Sequence, residues 1–113
     1  MNWALISKQF EPTGAPGMHH DQRSADGTAN TVGVLRWYDD HRKLRGLFVY
    51  SPHGVAGALH PGQFFFIVHP RHRREGIGTK LLRTARVRFP LLDFAEQRYS
   101  KPGFACVQAC ISF

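Results

Sequence analysis

Residues 64–82 read FFFIVHPRHRREGIGTKLL, and this stretch restricts the fold more than any other part of the chain. Gln63–Val68 is a near-continuous apolar run, the pattern of an inner strand buried on both faces. Pro70 stops it, because proline has no N–H to give to a sheet ladder. From Gly76 onward Ile77, Leu81, Leu82, Ala85 and Phe89 recur on one helical face, with Lys80, Arg83 and Arg86 off its centre, and Pro90 ends the helix. Between strand and helix stands Arg73-Arg74-Glu75-Gly76-Ile77-Gly78-Thr79, whose glycines fall where the first helical turn begins. A helix start carries partial positive charge on outward N–H groups, and glycine lets a ligand approach them with no Cβ in the way. A diphosphate fits that concavity. Arg71, Arg73 and Arg74 add charge around it, while Lys80 and Arg83 are placed for a more distant phosphate.

Two other phosphate loops do not fit. The Walker pattern needs Gly-Lys-Ser/Thr, whereas Gly78-Thr79-Lys80 reverses the order and the preceding glycine is too close. The dinucleotide pattern GxGxxG lacks its third glycine, and no acidic residue ends a second strand at the required distance. Both an ATPase and a dehydrogenase are therefore disfavoured.

The 113 residues suit a single domain, 1–113, with one core and no separate lobe for a large substrate. Residues 3–10 read as a short first strand, with Trp3 and Leu5 on one face and Ala4 and Ile6 on the other. Residues 11–31 have almost no large apolar side chains to offset their ordering entropy and read as a long mobile loop. Thr31–Tyr38 and residues 44–50 read as a hairpin across a charged turn, where Asp39 and Asp40 are expected as solvated turn formers. Residues 51–62, with His53 and His60, form a Gly and Pro loop. Residues 91–94 are expected as a strand parallel to Gln63–Val68, completing a βαβ unit. Residues 95–103 begin as a helical turn, and 105–113 fit either a strand or a helix.

A net charge of +7 points to a polyanionic partner such as nucleic acid, a coenzyme with several phosphates, or an anionic surface. Cys106 and Cys110 alone support neither a disulfide framework nor a four-cysteine zinc site, and His19-His20 read as solvated loop residues, so no metal site is expected. With no export signal and no apolar run of about 18 residues, the expected setting is the cytoplasm, with no membrane partner. Exposed strand edges in so short a chain suit self-association into a homodimer.

At its central loop the chain resembles the GNAT superfamily of N-acetyltransferases. The superfamily's pyrophosphate motif, Arg/Gln-x-x-Gly-x-Gly/Ala, follows a strand ending in Val-x-Pro and leads into a leucine-containing helix. Val68-His69-Pro70, Arg73-x-x-Gly76-x-Gly78 and Leu81-Leu82 fill those positions. Many members also carry Ala-x-x-x-Tyr-x-Lys-x-Gly-Phe after the next strand, and Ala95, Tyr99, Lys101, Gly103 and Phe104 stand at that spacing. The resemblance covers roughly residues 31–104 and is especially to small bacteriophage members. It implies an α/β (α+β) minimal GNAT fold: a mixed, mostly antiparallel sheet with a central βαβ unit and splayed parallel strands. The chain departs from the family pattern in two ways: a polar loop at 11–31 replaces the usual two helices of the acceptor site, and the last strands are short.

The resemblance further implies acetyl-CoA as co-substrate and direct attack by an amine in a ternary complex. The acceptor class is open: a small molecule, a protein or a nucleic-acid-linked amine. The implied donor site comprises Ile67, Val68, His69, Arg71, Arg73, Arg74, Glu75, Gly76, Ile77, Gly78, Thr79 and Lys80, with loop amides on the pyrophosphate and a backbone N–H near Val68 polarising the thioester. Tyr99 aligns with the general acid that protonates the departing thiolate. His60, His69 and Asp93 are the candidate bases. The competing reading is a catalytically silent module of this fold that binds nucleic acid or a protein through its basic face.

Overall fold

In a computed structural model of the chain, residues 3–24, 31–54 and 60–93 are described. Four strands form one antiparallel meander in the order β1 (Gly17–Ser24), β2 (Thr31–Tyr38), β3 (Leu44–Ser51) and β4 (Gln63–Val68). A short helix, α1 (Trp3–Ser7), precedes them, and a 3-10 turn (Pro70–His72) joins β4 to α2 (Ile77–Arg88).

The helix face foreseen from Ile77, Leu81, Leu82, Ala85 and Phe89 is buried in full, against Leu35, Phe48, Tyr50 and Phe64. Two strand glycines set how closely α2 approaches. A Cβ built on Gly46 would lie 2.5 Å from Cγ2 of Ile77, and one on Gly33 would overlap the Phe89 ring. The opposite face carries a second cluster, Val32, Val34, Leu47, Val49 and Ile67, covered by Trp3, Ile6, Phe10 and Phe65.

Three expectations are corrected. Residues 3–10 contain a helix, not a strand: Trp3 and Ile6, three apart, cover the same apolar cluster, while Leu5 is 61% exposed. The segment 11–31, expected as a loop, contains β1, paired in register with β2 from Gly17↔Tyr38 to Ser24↔Thr31. Besides Met18, which packs on the core, polar contacts tie it in place. Arg23 bridges Asp21 (3.0 Å) and Glu11, Arg36 of β2 reaches Glu11 (2.8 Å) and Asp21 (3.5 Å), and the Tyr38 hydroxyl donates to the Glu11 carbonyl at 2.7 Å. The third concerns β4. It covers both faces, with Phe64 toward α2 and Ile67 toward α1, but among the described residues it is an edge strand. The parallel strand expected at 91–94 is not formed by residues 91–93, which follow α2 as a turn and coil, and Phe94 lies outside the described residues.

The hairpin turn is more structural than its polarity suggests. Asp39 accepts from the Arg45 guanidinium at 2.8 Å and from the amides of His41 (2.9 Å) and Lys43 (3.0 Å). Burial opposes ionisation of its carboxyl, but these donors outweigh it and bring the pKa down to about 2. Because the folded value lies below the unfolded one, this stabilisation is full above about pH 5 and lost as the pH falls toward 2. Asp39→Asn is expected to cost about 1–2 kcal/mol at neutral pH and to flatten the acid limb of stability measured by urea titration. An unchanged acid limb would contradict this.

Candidate functional site

At the end of β4 the backbone turns away from the sheet in steps that each have a local cause. The His69 N–H still donates to the Arg45 carbonyl (2.8 Å), continuing the ladder with β3. Amides alternate in direction along a strand, so the Val68 N–H and carbonyl face the other edge of β4. The Val68 carbonyl accepts from Nε of Arg73 at 3.5 Å. Pro70 opens the 3-10 turn, and Nδ1 of His69 caps it by accepting the Arg71 N–H at 3.1 Å. Arg74 then adopts a left-handed φ of 69° and Gly76 one of 81°. Arg74 is strained there, while Gly76 is not.

This geometry starts α2 at Gly76 with no side-chain hydrogen bond at the N-cap. Gly76 supplies no side-chain cap, the first turn has no acidic residue, and the first bond into the helix runs from the Lys80 N–H to the Gly76 carbonyl at 3.0 Å. The amides ahead of it point out of the helix end. The Glu75 carboxylate, just before Gly76, lies 3.1 Å from Nδ1 of His72. Arg71, Arg73 and Arg74 are exposed around the opening, and among the described residues nothing lies within 4 Å of where a Cβ on Gly76 would be. These residues fit a diphosphate: a positive turn with backbone donors and no acidic residue in the first turn of the helix.

The expected donor-site residues, Ile67 to His69, Arg71 and Arg73 to Lys80, therefore lie along one junction of strand, turn and helix. Within it the roles differ. Ile67 and Ile77 are buried in the two core clusters, so they offer only backbone. Val68 and Thr79 are half-buried, Gly78 lies in the first turn of α2, and Nζ of Lys80 stands 4.8 Å above the Trp37 ring. The base candidates are not brought together. His60 is exposed before β4, its amide donating to the Gln63 side chain (3.2 Å), so about 20 Å of strand separates it from the loop. Asp93 is exposed beyond α2, about 18 Å of helix away. His69 alone stands at the loop, where burial and then Arg45, His72 and Arg71 hold its pKa below the usual histidine value. Tyr99, with the Ala95 to Phe104 block, lies outside the described residues.

Sequence reasoning missed Trp3, which packs edge-on against the His69 ring at 5.6 Å, and Trp37 beneath Lys80. It also passed over Gly46, although an isolated glycine inside a strand pattern is a signal of close backbone approach. Among the described residues no three His, Cys, Asp or Glu side chains gather to hold a metal, and no helix is long and apolar enough to cross a membrane.

A family model described as the acetyltransferase (GNAT) family matches residues 3–105. No curated protein and no solved structure matches the chain. The matched span takes in both sheet faces, the loop around Gly76 and the block around Tyr99. With a family match over most of its length, the chain belongs to the GNAT family of acetyltransferases.

Proposed function

We propose that the protein is an acetyl-CoA-dependent N-acetyltransferase that transfers the acetyl group directly to an amine. The observation that carries this reading is the uncapped start of α2 beside Gly76, flanked by Arg71, Arg73 and Arg74. Acetyl-CoA supplies an activated thioester when bound. In this reading the amides of 73–79 hold its pyrophosphate, with the Arg73 side chain alongside. The outward edge of β4 at Ile67 to His69 offers main-chain groups to the pantetheine arm, and the Val68 N–H is the donor placed to stabilise a developing oxyanion. Much of the rate gain would come from positioning two substrates. Tyr99 is proposed, on the family resemblance, as the acid that protonates the departing thiolate. The test is thiol release with mass spectrometry across amines, peptides and nucleic acids. Free CoA and an acetylated acceptor are expected together, and Tyr99→Phe is expected to lower turnover at least about tenfold. Turnover unchanged by that substitution would remove Tyr99 from the mechanism.

A second reading, a silent module that binds nucleic acid, draws on α2 itself. The helix carries Lys80, Arg83, Arg86 and Arg88 and no acidic residue, and all four are exposed. Nucleic-acid affinity that falls steeply with salt, by about 0.9 log units per log unit of salt for each phosphate neutralised, and that persists without acetyl-CoA binding, would favour it.

A further inference from the structure

His69 connects β3 and α1 to the loop that the proposed function assigns to the donor. Its N–H bonds Arg45 of β3, and its carbonyl accepts the His72 N–H at 2.8 Å. Its ring stands edge-on to Trp3 of α1 (5.6 Å) and to His72 (5.1 Å), and Nδ1 of His72 in turn meets Glu75, the residue before Gly76, at 3.1 Å. Nδ1 of His69 accepts the Arg71 N–H, and a ring nitrogen that accepts carries no proton. The ring is therefore uncharged, with its proton on Nε2. In this state neither nitrogen is set to take a proton from an amine, which argues against the base role.

We propose that His69 is a positioning residue: by capping the Pro70–His72 turn and packing between Trp3 and His72, it fixes the shape of the donor loop, and protonation of its ring releases that loop. The proposal rests on the reading of the loop as the acetyl-CoA site. The charged groups around the ring all act in one direction. Arg45 faces it from β3, its own partner being Asp39, and Arg71 and His72 face it from the turn. Glu75 is engaged with His72, and α1 contributes the uncharged Trp3. A proton on Nδ1 would displace the Arg71 N–H and add a cation among cations. The folded ring is thus neutral at pH 7, and its contribution is lost as the pH falls below the unfolded value of about 6.5.

The experiment is calorimetric titration of acetyl-CoA into wild type, His69→Ala and His69→Asn between about pH 8 and about pH 5, with thermal melts confirming that each is folded. Asparagine keeps a short side-chain oxygen that can accept the Arg71 N–H but cannot take up a proton. His69→Ala is expected to weaken binding about fivefold to tenfold at pH 8, and His69→Asn to restore most of it. Wild-type affinity is expected to fall toward the acid end of this range while His69→Asn stays level there. Binding by His69→Ala equal to wild type, or an acid fall in His69→Asn parallel to that of wild type, overturns the proposal. Those results require tight wild-type binding. Absence of wild-type binding at every pH instead refutes the donor-site reading, and the proposal with it.

Discussion

Gly46→Val is expected to lower stability by about 1–3 kcal/mol, a fall of roughly 5–20 °C in Tm for a domain of this size. The cause is contact, not backbone freedom. The side of Gly46 that would carry a Cβ faces α2, 2.5 Å from Cγ2 of Ile77 and 3.0 Å from Cδ1 of Leu81. Both side chains are buried in the first turns of the helix, so neither can swing aside and the helix itself must lift. Because Gly76 and the amides that follow ride on that helix start, acetyl-CoA affinity is expected to fall along with stability. Thermal melts and calorimetry on one preparation read both. Wild-type stability in Gly46→Val would mean that α2 does not sit on the β3 backbone as described.

Gly76→Glu is expected to do the reverse, abolishing donor binding while leaving the fold in place. Its φ of 81° costs a side chain about 1–2 kcal/mol, and among the described residues nothing lies within 4 Å of the new Cβ. A carboxylate ahead of a helix start regains about 0.3–1 kcal/mol from the helix dipole, so the net loss of stability is small. That same carboxylate occupies the positive pole that the diphosphate would use. A drop in acetyl-CoA affinity of about 100-fold or more, with Tm within a few degrees of wild type, is the expected calorimetric result. Gly76→Ala, which carries the backbone strain without the charge, is expected to fall between the two. Wild-type affinity in Gly76→Glu would place the pyrophosphate elsewhere.

The parts of the fold legible in the sequence were those with strong periodicity or a steric stop. The apolar stripe of α2, the β2 and β3 hairpin and the run of β4 ended by Pro70 are all visible in residue order. What failed was reading burial as the only reason for order. β1 pairs along its full length because Asp21 and Arg23 meet Arg36 and Glu11, an ionic match between positions that lie far apart in sequence and share one sheet face. α1 was misread because over five residues a period of two and a period of three both find apolar partners, and only contact with Val32, Val34 and Ile67 decides between them. Similarly, the loop around Gly76 was legible as a motif, but the state of His69 was not. Which of its nitrogens is occupied depends on the Arg71 amide, two residues on, and on a turn that only the folded backbone defines.

The most direct measurement of the central claim is hydrogen exchange at the backbone amides of residues 73–79 with and without saturating acetyl-CoA. If these amides hold the pyrophosphate, their exchange slows on addition of acetyl-CoA and does not slow in Gly76→Glu. Unchanged exchange across 73–79 with acetyl-CoA bound would contradict the account.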